Sequence, residues 1–584
     1  MNKDERSNKQ NRPWQQAYES WLLSPEVDEE TKIELKSLQG NEAEIRSRFD
    51  GDLDFGTGGM RGIIGAGTRR INRYVVRKAT QGFANYLLKE YKDIDGKKAA
   101  IAYDSRRYSR EFAEDAALVL AANGIKALLF DDMRPLPELS FAVRETGSLA
   151  GIVITASHNP PQYNGYKIYG KDGGQAVPEM ANPVIEEIRK LDIFRDVQSI
   201  PREDALSQGL LQYLGEEMDQ RYLEKIKSLA FMSGDAAIRV VYSALHGTGI
   251  RLIPRALNEL GYTSIFVQED QAAADPDFST VKVPNPEDPA AFALSLKLAE
   301  EKDADLILAT DPDADRVGCA VKSSPGQYTL LNGNQAGALM VHYLLSRLKE
   351  EGRLPTNGVI IKTVVTGNLG KKIAESFGVN TLETLTGFKY IGEKIKEFEK
   401  SGTHQFLFGY EESYGYLAGT FSRDKDAVLA SILLVEMAAY YKQAGKTLLQ
   451  VLDELLEEHG YFLEELESIE MENMSLAAEI LEEIKSHGFT EVAGSRVVEI
   501  RDYSSCQAVS LLTQERRRMD LPQSDVLYYL MEDESWFCVR PSGTEPKVKF
   551  YFAITAENRD LARQKMKAVK KTVLERFQQP GIRI

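Results

Sequence analysis

KAAIAYDSRRYSREFAEDAALVLAANGIKALLF, residues 98–130, decides the fold class. Its short apolar run at 98–103 reads as a strand, 110–122 as a helix, and 126–130 as a second strand. A third strand follows at 151–155. Strands alternating with helices predict βαβ units and a mainly parallel sheet. The alternation continues with strand 238–244, helix 253–260, and strands at 264–267, 306–309 and 358–363. Helix 370–377 and strand 405–408 extend it. Upstream, 74–91 reads as an amphipathic helix, and 12–49 reads as helical, with Trp14, Trp21 and Leu22 as packing residues. The Ser24-Pro25 step interrupts that helical stretch or restarts it. The end differs: strands at 536–539 and 547–552 flank a loop, and a long helix runs over 556–577, as in a smaller α+β unit. Candidate boundaries lie near 199–208, 322–327 and 461–475, the last being acidic and read as helical.

At ~150 residues per domain, 584 residues suggest about four domains. A chain with 43% hydrophobic and 27% charged residues is neither disordered throughout nor fibrous. The 72 basic residues against 88 acidic ones give a net charge of −16, which argues against a nucleic-acid binder. An anionic small substrate is still allowed, because a site needs only local positive charge. Cys319, Cys506 and Cys538 are odd in number and form no CxxC, so a disulfide framework is not expected. MNKDERSNKQNRPW has no apolar core of a secretory signal, and no apolar run reaches the ~18 residues of a membrane span. The best candidate, ILLVEMAAYY from Ile432, is broken by Glu436 and reads as a packed helix. The expectation is a cytoplasmic protein with no membrane or nucleic-acid partner.

Four polar loops follow apolar strands. TASHNP (155–160) follows GIVI, at the strand end where α/β folds place ligands. Its Ser157 reads either as a functional hydroxyl or as a cap of the turn before Asn159-Pro160, and the spacing is not that of GxSxG. DPDADR (311–316) follows LILAT. Asp311, Asp313 and Asp315 can converge on one hard cation such as Mg²⁺ if the loop curls, or they form a solvated acidic loop. An EF-hand is excluded, since Arg316 and Lys322 stand where it needs Gly and Glu. GYEESYGY (409–416) places Glu411 and Ser413 two residues apart, a pairing that suits vicinal sugar hydroxyls but also occurs in surface loops. RPSGTEPK (540–547) offers a guanidinium, two hydroxyls and flexible N–H groups, the donor set for a phosphate dianion. GTGGMRG (56–62) and TGFK (386–389) each add a cation beside glycines, while HGTG (246–249) and NGN (332–334) carry no reading alone. No Walker A, GxGxxG or HExxH is present, and His342, His404, His459 and His487 are scattered. Together the four loops suggest phosphoryl transfer on a sugar.

With these motifs in this order, the sequence resembles the α-D-phosphohexomutase superfamily from about residue 54 to 551. Its length and its GYEES loop resemble the phosphoglucomutase subgroup that also contains phosphopentose-acting members. The resemblance implies three similar mixed-sheet α/β domains and a smaller C-terminal α+β domain around a central cleft. The corresponding divisions are 1–205, 206–325, 326–460 and 461–584. It implies a phosphoserine at Ser157, with Asp311, Asp313, Asp315 and the serine phosphate holding Mg²⁺. His158 is implied as a proton-transfer or positioning residue, and Arg61, Lys167 (in NGYK) and Lys389 as catalytic cations. Glu411, Ser413, Arg423 and Lys425 (both in RDKD) and Arg316 are implied as substrate contacts. Arg540, Ser542, Gly543 and Thr544 match the site for the non-reacting phosphate. The implied reaction interconverts glucose 1-phosphate and glucose 6-phosphate through glucose 1,6-bisphosphate. A phosphomannomutase or phosphopentomutase would use the same residues. The oligomeric state is left open, with a monomer favoured. An aspartyl phosphohydrolase fits less well, because Asp315 stands where DxDx[TV] needs Thr or Val, and a silent sensor would lack a motif residue.

Overall fold

The computed structural model describes residues 12–56, 58–232, 237–471, 474–541, 547–576 and 582–583. The chain divides into two compact units. Unit 1 comprises 1–330, 391–401 and 415–440, and unit 2 comprises 331–390, 402–414 and 441–584.

Unit 1 opens with three helices, Pro13–Leu23, Glu29–Ser37 and Glu42–Phe49. Ser24 leaves helical space (ψ 130°) ahead of Pro25, and the side chains of Asp28 and Asn41 cap the two later helices. Trp14, Trp21, Leu35 and Phe49 pack with Tyr74 in one small core, and Leu22 packs against it. A six-stranded sheet follows, in the order β1-β5-β4-β2-β3-β6. Its strands are β1 (Gly59–Ile63), β2 (Lys98–Tyr103), β3 (Lys126–Phe130), β4 (Ala150–Ile154), β5 (Tyr163–Gly170) and β6 (Leu211–Leu214). β2, β3, β4 and β6 are parallel, while β5 runs antiparallel to both β4 and β1. The expected strands and the helices Arg73–Glu90 and Ser109–Ala122 are all present. A second, five-stranded sheet has the order β11-β10-β9-β7-β8. It consists of β7 (Val240–Ser243), β8 (Ile265–Val267), β9 (Leu306–Thr310), β10 (Val317–Ser324) and β11 (Gln327–Leu331). β9 is parallel to β7 and antiparallel to β10, so this sheet is also mixed.

In unit 2, β12 (Gly358–Thr363) pairs in parallel with β13 (Asn380–Thr384) and with β14 (Gln405–Tyr410). The chain then re-enters unit 1 as β15 (Tyr416–Ala418) and the helix Ala427–Gln443. This helix contains ILLVEMAAYY, and its Glu436 carboxylate accepts the N–H groups of Phe231 and Met232. A buried charge with such partners is affordable in a packed helix. No described helix is long and apolar enough to cross a membrane.

The rest of unit 2 is a nine-stranded sheet ordered β20-β19-β18-β21-β22-β23-β16-β24, with β17 pairing to β18. It begins with β16 (Tyr461–Met471), then β17 (Glu491–Val492), β18 (Ser495–Asp502), β19 (Gln507–Ser510) and β20 (Arg516–Arg518). β21 (Leu527–Met531), β22 (Trp536–Pro541), β23 (Lys547–Ala556) and β24 (Ile582–Arg583) complete it. Helices Met474–His487 and Arg559–Glu575 contribute to its core through Ile480, Ile484, Met566 and Val569. This corrects one expectation: 461–471 is a strand, not a helical linker. It pairs antiparallel with β23 from Tyr461↔Ala556 to Glu470↔Lys547, and Lys570 pairs with Glu465 and Glu467. The long ladder and that neutralisation override the acidic composition. The acidic stretch 464–483 is accordingly half strand and half helix.

Candidate active site

The centre of unit 1 is built on two strand ends. β4 is buried along its length and runs into Thr155, whose N–H bonds to Gly165 O (3.1 Å). The chain then turns at Ser157, which lies in the left-handed region (φ 53°). A non-glycine residue costs about 1–2 kcal/mol there, so the turn must be held by its partners. One of these is Thr155, whose Oγ1 accepts the Ser157 N–H at 2.8 Å. The second strand end is β9, also buried throughout, which leads into the β9–β10 connection at 311–316. There Asp311 N bonds to Arg316 O (3.3 Å), Ala314 N bonds to Asp311 O (2.9 Å), and Ala314 takes φ 50°. The loop therefore curls, and ligand oxygens of Asp311, Asp313 and Asp315 lie within 4.8 Å of one another.

The two loops meet. Ser157 Oγ donates to Asp311 Oδ2 at 2.8 Å, and Thr155 Oγ1 donates to Asp313 Oδ2 at 3.2 Å. β5 delivers Lys167, whose Nζ is 2.9 Å from Asp313 Oδ2 and 3.9 Å from Asp315 Oδ2. Lys425 Nζ lies 3.1 Å from both Asp315 Oδ2 and Asp424 Oδ1. Arg316 donates its backbone N–H to Asp311 Oδ1 (3.1 Å) and pairs through its guanidinium with Glu287. Arg61 remains exposed and donates to Asn159 Oδ1 at 3.1 Å.

His158 Nδ1 is 3.3 Å from Ser157 Oγ and 4.0 Å from Asp311 Oδ2, so these sequence neighbours do face each other. Burial and the nearby Arg316 and Arg61 guanidiniums hold the imidazole well below its usual pKa, which favours the neutral ring. Burial, with repulsion from Asp313 and Asp315, pushes Asp311 well above the usual carboxylate range. Asp315 is raised by burial and by Asp313. Burial acts on Asp313 in the same direction, but the Lys167 ammonium outweighs it and holds that carboxyl below its usual range.

Three buried carboxylates so close together fit a hard divalent cation. Asp313 Oδ1 and Asp315 Oδ1 are buried and have no hydrogen-bond partner, the state expected of oxygens reserved for a metal.

HGTG, silent as a sequence, lies beneath this loop. The N–H and Oγ1 of Thr248 both donate to Pro312 O, at 2.9 and 3.0 Å. A Cβ on Gly247 would stand 2.5 Å from Pro312 Cα, so only glycine permits the approach. Gly247→Ala should cost about 2 kcal/mol through overpacking. Thermal unfolding would show a lower Tm, and a metal titration weaker binding. An unchanged Tm would mean that the contact is slack.

Unit 2 carries the remaining candidates. Glu411 is buried, and its Oε1 accepts Gly387 N–H at 3.0 Å, so GYEES and TGFK meet. NGN supports them from below: Asn332 and Gln335 form a capping box, and a Cβ on Gly333 would reach 2.0 Å from Glu412 O. Ser413 and Lys389 are half-buried, with Lys389 Nζ 5.2 Å over the Tyr390 ring. Arg540 lies in β22 opposite Lys549. Ser542, Gly543 and Thr544 lie outside the described residues. Arg423, in unit 1, is wholly buried, bonds to Thr420 O and Ser422 O and pairs with Glu399 of the helix Phe388–Ser401. His342 bonds to the Tyr441 hydroxyl at 2.7 Å and is structural.

Four consecutive stretches match phosphoglucomutase/phosphomannomutase domain descriptions. Alpha/beta/alpha domain I matches 52–193, domain II 220–326, domain III 332–459 and the C-terminal domain 491–571. The chain is 35% identical over 530 residues to a phosphoglucomutase of Staphylococcus saprophyticus, covering 90% of this chain and 95% of that one. A phosphoglucomutase of Staphylococcus epidermidis is 38% identical over 519 residues, covering 88% and 93%. Two crystal structures share the fold. A phosphoglucomutase/phosphomannomutase family protein from Burkholderia thailandensis has a TM-score of 0.66 at 18% identity, covering 91% of this chain and 99% of that one. The Paramecium phosphoprotein pp63/parafusin, a phosphoglucomutase in its open form, has a TM-score of 0.66 at 15% identity, covering 90% and 95%. A serine hydroxyl seated on a curled three-aspartate loop, in a chain matched along nearly its whole length, makes this protein a member of the phosphoglucomutase/phosphomannomutase family.

Proposed function

We propose that the protein is a cytoplasmic enzyme that interconverts α-D-glucose 1-phosphate and glucose 6-phosphate through a phosphoserine at Ser157 and glucose 1,6-bisphosphate. The observation that carries this reading is the 2.8 Å bond from Ser157 Oγ to Asp311 in the three-carboxylate loop. A hydroxyl there can exchange a phosphoryl group beside a metal ion and beside Lys167.

In this reading Asp311, Asp313 and Asp315 hold Mg²⁺, which supplies positive charge to offset the phosphoryl oxygens. Lys167 and Arg61 add fixed cations, and Arg316 and Lys425 set the charge around the loop. Neutral His158, at 3.3 Å from the serine oxygen, accepts or positions the proton that Ser157 loses when it takes the phosphoryl group. Phosphoserine carries about −1.5 to −2 charges at neutral pH, and this cluster of cations stabilises that charge. Glu411 and Ser413 bind the sugar hydroxyls, with Lys389 as a nearby cation. Arg540, together with 542–544, holds the phosphate that is not reacting. The four divisions at 205, 325 and 460 are proposed as domains with one motif loop each.

A coupled assay with Mg²⁺ and catalytic glucose 1,6-bisphosphate, run on glucose, mannose and ribose 1-phosphates, tests the substrate. A kcat/KM at least about tenfold higher for glucose supports the reading. A preference for mannose or ribose replaces the substrate but keeps the serine and the metal loop, and no turnover on any of the three refutes the activity.

A further inference from the structure

Ser157 is held in the left-handed region not only through its N–H but also through its carbonyl, by a residue that no motif marks. Arg106 belongs to the Asp-Ser-Arg-Arg segment after β2, and its side chain is fully buried. Its Nη2 donates to Ser157 O and Asn159 O, and its Nη1 to Pro160 O (2.9 Å) and Tyr163 O (3.0 Å). One guanidinium thus gathers four carbonyls of the turn that presents the serine. The guanidinium is itself fixed. Asp104 Oδ2 is 3.3 Å from its Nε, and Asp104 Oδ1 accepts the Arg106 N–H (3.0 Å) and the Ser109 hydroxyl (2.7 Å). The Phe278 ring lies under its Cζ at 5.0 Å. Asp104 and Phe278 come from different parts of unit 1, so the clamp is anchored from two sides.

Carbonyl groups that converge on one point repel one another, and only a multidentate cation with several in-plane donors satisfies four at once. Lysine has the charge but not the fork. We propose that Arg106 is a positioning residue for phosphoryl transfer: it locks the 157–163 turn so that Ser157 Oγ stays aimed at the Asp311 loop in both the free and the phosphorylated state. This inference rests on Ser157 being the phosphoryl carrier. The step concerned is charging. The bond between phosphorus and a sugar oxygen of glucose 1,6-bisphosphate breaks, a bond from phosphorus to Ser157 Oγ forms, and the serine proton ends on the sugar hydroxyl released.

The experiment compares wild type, Ser157→Ala, Arg106→Lys and Asp104→Asn. Each is incubated with glucose 1,6-bisphosphate and Mg²⁺, and the gain of one phosphate is followed in time by intact mass. Steady-state kcat, KM and Tm are measured alongside. Charging of wild type but not of Ser157→Ala establishes the carrier; a wild type that never charges, or a Ser157→Ala that does, refutes the carrier and with it the role proposed for Arg106. Given the carrier, Arg106→Lys should charge at least about 30-fold more slowly, with kcat reduced in parallel and KM within about threefold of wild type. Asp104→Asn, which loosens the anchor but keeps the fork, should slow charging about threefold to tenfold. Charging of either folded variant at the wild-type rate overturns the proposal. So does a loss of kcat that only tracks the unfolded fraction given by Tm. If Arg106→Lys does not fold, Asp104→Asn alone decides.

Discussion

Ser157→Ala is expected to remove mutase turnover, by on the order of 10⁴-fold or more, because no second group can carry the phosphoryl in its place. The structure makes this a clean test. The hydroxyl accepts no other duty than its 2.8 Å bond to Asp311 and its contact with His158, and the turn is held by Thr155 on the Ser157 N–H. Alanine keeps the left-handed backbone at a cost similar to that of serine. The variant should therefore fold, with a Tm within a few degrees of wild type, and should bind sugar phosphate with a Kd within about threefold. Calorimetric titration with glucose 6-phosphate measures the binding, and the coupled assay measures turnover. A variant that retains turnover would remove Ser157 from the chemistry, and one that fails to fold would make the hydroxyl structural.

Asp313→Ala should produce the second largest loss, at least about 10²-fold in kcat, with a shifted metal requirement. Asp313 joins the loop to both the serine turn and β5. It takes Lys167 at 2.9 Å and the Thr155 hydroxyl at 3.2 Å through Oδ2, while Oδ1 is buried and unpartnered. Its backbone carbonyl accepts Leu136 N–H at 2.9 Å, so the loop is tied to the first sheet's layer independently of the side chain. Removal of the carboxylate takes away one of the three proposed metal ligands and leaves the Lys167 ammonium buried beside Asp315. Activity followed against Mg²⁺ after chelation should half-saturate at a concentration at least about tenfold higher than in wild type. An unchanged Mg²⁺ profile would exclude Asp313 as a ligand.

What the sequence disclosed and what it hid have a common cause. The loop 311–316 was legible because its logic is local: a buried strand, three alternate carboxylates and a tight return to β10. The Ser157 turn was legible for the same reason. β5, which carries Lys167, was not recognised, since NGYKIYG contains two glycines and polar residues and becomes a strand only through pairing with β4 on one side and β1 on the other. The strand 461–471 was misread because its glutamates suggest a solvated helix, whereas β23 and Lys570 compensate them from a distance. One of them, Glu464, is pushed by burial to about 7, a state that composition cannot reveal. Arg106 bears no motif, and HGTG and NGN carry no reading alone, because Arg106, Gly247 and Gly333 meet backbone tens of residues away. Such contacts leave no pattern of side chains to read.

Unit 1 is completed by chain that is made late. The acceptor for the Tyr169 hydroxyl is Asp424, 255 residues downstream at 2.9 Å, and that for Tyr222 is Asp426, 204 residues downstream at 2.8 Å. The Phe231 and Met232 N–H groups wait for Glu436, and Asp315 waits for Lys425. Each buried donor left without its acceptor costs about 1–3 kcal/mol. Together these amount to a substantial part of the ~5–15 kcal/mol that holds a domain folded. Synthesis runs from the N-terminal to the C-terminal side, so the serine turn and the aspartate loop are made before the segment 424–436 that supplies these partners. Unit 1 can therefore bury Tyr169, Tyr222 and Asp315 with all of these partners only once 424–436 has joined it.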